Sequence, residues 1–242
     1  MEWSDLGIVT GVRRHGETSA VVELLTRDRG RHLGLVRGGL SRRRASLLQP
    51  GNTLAVTWRA RLDEQLGSFV LEPVQVRGEM LMRLPHAAYG ITHMSSLVHL
   101  LAEREPHGRL YDILDAILDA FEHPQNAAEL MARFELAILG ELGFGLDLEI
   151  CAATGDRNDL IFVSPRTGRA VSAAAGAPYS QKLLPLPGFL TGGAPPDAQA
   201  IEDAFRLTGY FLTRRVMEPR GLFLSDARAG FLNALRRDQR QP

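Results

Sequence analysis

Hydrophobic and polar residues alternate with a period of two up to about residue 83, and with a period near 3.6 beyond it. Five segments of the first part have strand character: Leu6–Val12, Ala20–Thr26, Arg31–Arg37, Thr53–Arg61 and Leu66–Val76. The fourth alternates most cleanly, with Leu54, Val56, Trp58 and Ala60 on one face and Thr53, Ala55, Thr57, Arg59 and Arg61 on the other, the pattern of a half-buried strand. Turn residues separate the segments: His15-Gly16-Glu17, Arg27-Asp28-Arg29-Gly30 and Asp63-Glu64-Gln65. Pro73 places part of the fifth strand at an edge or bulge. Trp58 and Phe69 fall on faces directed to the core.

Beyond Leu84-Pro85 three helical stripes follow. Met94, Leu97, Val98 and Leu101 mark a helix from about His86 to Glu103, and Leu110, Leu114, Ile117, Leu118 and Phe121 mark a second. A third, capped at Asn126 and stopped by Gly143, is apolar nearly all round and therefore central. Asp112, Asp115, Asp119 and Glu122 give the second helix a solvated acidic face. Leu160–Ser164 and Arg169–Ser172 flank the turn Pro165-Arg166-Thr167-Gly168, which predicts a small hairpin or finger-like insertion. Pro187–Pro196 reads as a loop. Ile201, Ala204, Phe205, Thr208, Phe211 and Leu212 stripe a last helix with Arg214 and Arg215 in its final turn, and Arg236, Arg237 and Arg240 close the chain on a frayed tail.

Five short strands, with a gap at 38–52 that accommodates a helical turn, match a small Greek-key barrel of the OB type. The fold class is therefore α+β: residues 1–83 an OB-type barrel, residues 84–242 a mainly helical domain with a hairpin insertion at about 151–190. In an OB barrel the face of strands two and three, and the loops after strands one and four, hold nucleic acid.

Charge sharpens this picture. The 28 basic and 28 acidic residues cancel overall. Residues 1–83, however, carry 13 arginines against 9 acids, and residues 84–242 carry 15 basic residues against 19 acids. Arg27, Arg29, Arg31, Arg37, Arg42, Arg43 and Arg44 crowd Leu24–Arg44 against the single acid Asp28. Arg13 and Arg14 lie in the loop after strand one, and Arg59 and Arg61 at the end of strand four. Guanidinium groups fork onto phosphate oxygens or stack on bases. These eleven arginines are the expected DNA-binding residues. With no row of exposed aromatics, the binding expected is salt-sensitive and sequence-tolerant.

Other chemistry is missing from the sequence. There is no phosphate-binding glycine loop, dinucleotide fingerprint, HExxH or GxSxG. The one cysteine, Cys151, excludes an intramolecular disulfide and a Cys₄ zinc site, and reads as buried filler. His86 and His93 could share a helix face but lack a third ligand. Glu135 and Glu141 are too far out of phase for a catalytic dyad. No catalytic residue, metal or cofactor is expected. Nor is there an apolar run of membrane-spanning length or a signal-peptide pattern, so a cytoplasmic location is expected.

Gly7–Gly39, GIVTGVRRHGETSAVVELLTRDRGRHLGLVRGG, together with Arg133–Gly155, RFELAILGELGFGLDLEICAATG, resembles the RecO family of bacterial recombination mediators. The resemblance covers nearly the whole chain and implies an OB domain joined to a helical domain with a zinc-bearing insertion. It further implies binding to single- and double-stranded DNA, strand annealing, and loading of RecA onto DNA coated by single-strand-binding protein (SSB). The implied partners are RecR, often RecF, and the C-terminal tail of SSB, with RecA reached indirectly and the protein associated with the nucleoid. Zinc-bearing members have two CxxC pairs, whereas here Cys151 is followed by Thr154, so no zinc is expected. Two further classes stand beside this one: an adaptor whose OB fold mainly docks proteins, and a nucleic-acid enzyme, for which a carboxylate cluster or metal site is lacking.

Overall fold

The computed structural model describes residues 1–238. Its first elements are β1 (Glu2–His15), β2 (Ser19–Thr26), β3 (Gly30–Val36), a short helix α1 (Arg42–Ala45), β4 (Thr53–Arg59) and β5 (Ser68–Gln75). They close into a barrel in the order β1-β2-β3-β5-β4. Strand β1 serves two neighbours: Glu2–Ile8 pair with β4, Gly7–His15 with β2, and a register shift between Val9 and Gly11 bends the strand from one to the other. The interior holds Val9, Ala20, Val22, Leu24, Val36, Leu54, Val56, Trp58 and Phe69. Trp58 and Phe69 are core residues, as the alternation requires, and the Trp58 indole N–H donates to the Leu66 carbonyl at 3.0 Å.

The closing seam is the weakest part of this barrel. Strands β3 and β5 run parallel and meet at one ladder pair, Leu35 with Ser68, supported by the Leu35 N–H to the Gly67 carbonyl at 3.0 Å. Beyond it β5 is an open edge, and its register against β4 shifts near Pro73.

Strand β2 is buried on both faces. Val22 and Leu24 point into the barrel, while Val21 and Leu25 point outward yet are also buried. The cover comes from the next segments: α2 (Gly78–Leu81), α3 (Pro85–Val98), which lies against β1, and α4 (Gly108–Ala120), which lies against β2. The acidic face of α4 is not simply solvated. Arg77, buried, donates to Asp115 at 2.5 Å, to Asp119 at 3.1 Å and to the Thr53 hydroxyl at 2.7 Å, and Arg27 pairs with Asp112 at 3.5 Å. Asp115 and Asp119 offset the desolvation of Arg77, whereas Arg27 and Asp112 form a solvent-exposed pair.

Helix α5 (Pro124–Glu141) begins two residues before the expected cap, because Pro124 supplies a ready N-terminal φ. The insertion is a three-stranded sheet rather than a hairpin: β6 (Leu160–Val163), β7 (Ala170–Ser172), the short helix α6 (Ala173–Gly176) and β8 (Leu184–Pro185), in the order β7-β6-β8. Helix α7 (Ala198–Phe211) is capped by Asp197, whose carboxylate accepts the Ala200 N–H at 2.8 Å, and runs into a π-helical turn over Leu212–Met217. The last element is α8 (Asp226–Asp238), packed on α3 so closely that a Cβ on Gly230 would fall 2.5 Å from the Tyr89 ring. Arg236 and Arg237 belong to its final turn, and Arg240 lies outside the described residues.

Packing divides the chain into two compact units, Met1–Ala127 with the chain from Ser225, and Ala128–Leu224. This division does not follow the change of period at residue 83, since α2 to α4 and α8 group with the barrel.

Candidate nucleic-acid interface

The structure sorts the eleven arginines into three groups. Eight gather where β1 and β3 end, seven converging there and Arg61 beside them. Arg13 and Arg14 close β1, Arg14 stands opposite Ala20 of β2, and Ala20 stands opposite Val36. Arg37 therefore leaves β3 two strands from Arg14, about 10 Å across the sheet. Residues 38–48 fold back onto this corner: the Leu40 N–H donates to the Thr18 carbonyl at 3.0 Å, and the Arg44 guanidinium donates to the Arg37 carbonyl. Arg42, Arg43 and Arg44 are thus presented on α1 beside the β1–β2 turn, all exposed. Arg59 joins them from the other side, because Ser68 of β5 pairs with both Arg59 and Leu35. It is steadied by Glu2 at 2.9 Å, and Arg61 is exposed just beyond it.

Arg27 and Arg29 occupy the β2–β3 turn, the length of β3 away, about 20 Å. Arg27 is paired with Asp112, and the Arg29 guanidinium lies 5.9 Å from the centre of the Trp3 ring.

Arg31 is a different case, and here the sequence reading is corrected. It is 9% exposed, and all its donors turn inward: Nε to the Leu101 carbonyl at 3.0 Å, one terminal nitrogen to Glu23 at 3.1 Å and the other to Glu103 at 3.4 Å. Its own carbonyl accepts the Arg104 N–H at 2.9 Å. Residues 99–105 thus cover the outward face of β2 and β3 at this end, and that face is not open to a ligand there.

Next to this lies His32, 4% exposed and packed edge-on to Trp3 and Trp58 at 4.9 and 5.2 Å. Burial, with Arg104 close by, lowers its pKa from 6.5 to about 4.

In the unit Ala128–Leu224 a second basic feature emerges, whose residues the sequence reading did not name. A pocket of about 550 Å³ is walled by Pro165, Leu183, Leu184 and Tyr210 and rimmed by Lys182, Arg206 and Arg214. Arg214 is held by Glu218 at 3.0 Å, one turn on, in the π-helical stretch. The signal in the sequence was slight: the only lysine of the chain, just ahead of β8.

The insertion does not fit zinc. Cys151 is buried, its Sγ lies 3.4 Å from the Ser172 hydroxyl and accepts the Ser172 N–H at 3.3 Å, and Thr154 stands where a second thiol would be needed. No three His, Cys, Asp or Glu side chains converge among the described residues. The loop is closed by its own backbone bonds, Cys151 N–H to Asp156 at 2.7 Å and Ala152 N–H to Ala170 at 2.8 Å. His86 and His93 are both buried, and His86 Nε2 is 2.7 Å from the Phe121 carbonyl. Glu135 is buried and accepts the Thr208 hydroxyl. No helix among the described residues is long and apolar enough to cross a membrane.

A barrel with an arginine corner, followed by a helical segment, is matched along nearly its full length by two family models: Recombination protein O N terminal over residues 1–76, and Recombination protein O C terminal over residues 84–221. The chain belongs to the RecO family. It is 65% identical to the DNA repair protein RecO of Xanthobacter autotrophicus over 98% of both chains. With the DNA repair protein RecO of Afipia carboxidovorans it is 56% identical over 99% of this chain and 98% of that one. With that of Bradyrhizobium sp. strain ORS 278 it is 57% identical over 98% and 97%. The five-stranded barrel is accordingly the OB fold of the RecO N-terminal domain.

Proposed function

We propose that this RecO-family chain acts in recombinational DNA repair as a non-enzymatic mediator that binds single- and double-stranded DNA, anneals complementary strands and helps load RecA onto SSB-coated DNA. The observation that carries the reading is the convergence of Arg13, Arg14, Arg37, Arg42, Arg43, Arg44 and Arg59 on one corner of a chain whose charges cancel overall, with Arg61 beside them. Annealing needs no active site. Two strands repel through their phosphates, and a surface that neutralises both lets bases sample register while pairing drives the reaction. Arginines on a short exposed helix suit this, because their contacts form and break without reorganising a core.

RecR, often with RecF, and SSB are the partners of this reading. The pocket rimmed by Lys182, Arg206 and Arg214 supports the SSB part: its apolar walls and basic rim complement a tail whose end is acidic and aromatic. Tethering by that tail would hold the arginine corner at high local concentration near coated DNA. An Arg206→Glu variant is expected to bind a peptide copy of the tail several-fold more weakly while binding naked DNA like the wild type.

The test of the DNA reading is oligonucleotide binding as a function of salt, with annealing of the complement followed in the same samples. Comparison is with an Arg42→Glu/Arg43→Glu/Arg44→Glu variant. Wild type should show a steep salt slope and anneal without nucleotide, and the variant's slope on single strands should fall by about two. Weak binding with a flat slope would instead favour an adaptor that docks proteins.

A further inference from the structure

Beside the arginine corner the barrel opens into a cleft of about 370 Å³, lined by β3, β5, α1 and the residues that follow α1. Its floor is apolar, with Leu35, Leu48, Phe69 and Leu71, and its rim carries Arg37, Arg44 and Arg59. We propose that this cleft receives one unstacked base of a single-stranded DNA, with the flanking phosphates held by the three rim arginines. The inference rests on the DNA-binding reading and adds to it a strand preference.

The cleft exists because the seam is short. One ladder pair joins β3 to β5, and beyond Ser68 the strands diverge instead of zipping shut. Gly34 lies behind the cleft, in the barrel interior, and makes room for Phe69: a Cβ there would meet the Phe69 ring at 2.6 Å. The rim is preset by the contacts of Arg44 with the Arg37 carbonyl and of Arg59 with Glu2.

The chemistry selects the occupant. The lining has three guanidinium groups and no carboxylate, so it favours an anion with an apolar part. The volume is at the small end for a ligand pocket, which suits one nucleoside. A base in a duplex is paired and stacked and cannot enter. Occupancy therefore marks unpaired DNA, and pairing with a complement empties the cleft, so the contact selects single strands without blocking their annealing.

The test compares three probes: an oligothymidylate, an abasic strand of equal length carrying the same phosphates, and a duplex. Wild type should bind the thymidylate about tenfold more tightly than the abasic strand at equal salt. Ser68→Phe, which fills the cleft, and Val70→Gln, an exposed substitution at its mouth that spares the fold, should bring that ratio close to one and leave abasic binding and its salt slope unchanged. Equal wild-type affinity for thymidylate and abasic strand, with steep slopes for both, would overturn the cleft and leave the phosphate-binding reading standing. A base preference that survives in both variants would overturn it as well. Failure to bind any probe in a salt-dependent way would sink both.

Discussion

At the scale of single residues, position in the weave separates arginines that composition treats alike. Arg31 stands in the same run as Arg29 and Arg37, yet its neighbour across the ladder, Leu25, is an outward-facing residue that is fully buried. The sign was in the sequence: Ala20–Leu25 is apolar on both faces apart from Glu23, the pattern of a covered strand, and a charge opposite it must be paired. Removing Arg31 leaves Glu23, half-buried beside His99 and Thr10, without its main counter-ion. Arg31→Ala is therefore expected to lower stability by about 3 kcal/mol in urea unfolding, with the salt slope of DNA binding unchanged. His32 makes a pH prediction. Its folded pKa of about 4 lies below the 6.5 of the unfolded chain, so the unfolded state takes up the proton first as pH falls. The stability due to its neutral, buried form is complete above pH 6.5, declines between 6.5 and about 4, and is then lost; the full loss is on the order of 3 kcal/mol. His32→Phe should flatten the pH dependence of the melting temperature across that window.

At the scale of elements, the first two hairpin turns of the barrel look alike in sequence and differ in consequence. Gly16 and Gly30 both adopt positive φ, +63° and +67°, which side chains rarely accept. Around Gly16 there is open space, whereas a Cβ on Gly30 would lie 1.6 Å from the Glu105 carbonyl oxygen, a backbone atom of the covering segment. Gly16→Ala should cost about 1 kcal/mol. Gly30→Ala should cost several-fold more, because the segment that anchors Arg31 must be displaced, and thermal melts of the pair would measure the difference. The five strands and the long helices were legible because each repeats its period often enough to be counted. Strand β8 was not: Leu184–Pro185 is too short for any period and exists only because β6 offers an edge. The acidic stripe of α4 was legible as a stripe but not as a contact, since its partners Arg27 and Arg77 lie far back in the chain. The cleft escaped for the same reason, its walls being contributed by residues from Leu35 to Leu71.

At the scale of the whole molecule, the excess of arginine in the first part of the chain serves two purposes. Arg27, Arg31 and Arg77 answer acids at Asp112, Glu103, Asp115 and Asp119 and help fasten the barrel to the helices beside it. Arg13, Arg14, Arg37, Arg42, Arg43 and Arg44 have no acid partner at ion-pair distance among the described residues and make up most of the corner. Charge asymmetry along a sequence therefore counts both kinds, and only the fold tells cement from interface. The two ends of β3 should then respond differently to charge reversal. Arg42→Glu/Arg43→Glu takes charge from unpaired positions and should weaken single-strand binding and lower the salt slope by more than one. Arg27→Glu/Arg29→Glu makes a formally identical change about 20 Å away, but it breaks an internal pair and a stack on Trp3. Its expected signature is a lower melting temperature with a salt slope close to wild type. Equal loss of slope from both variants would mean that DNA runs the length of β3, and that Asp112 gives up Arg27 when DNA binds.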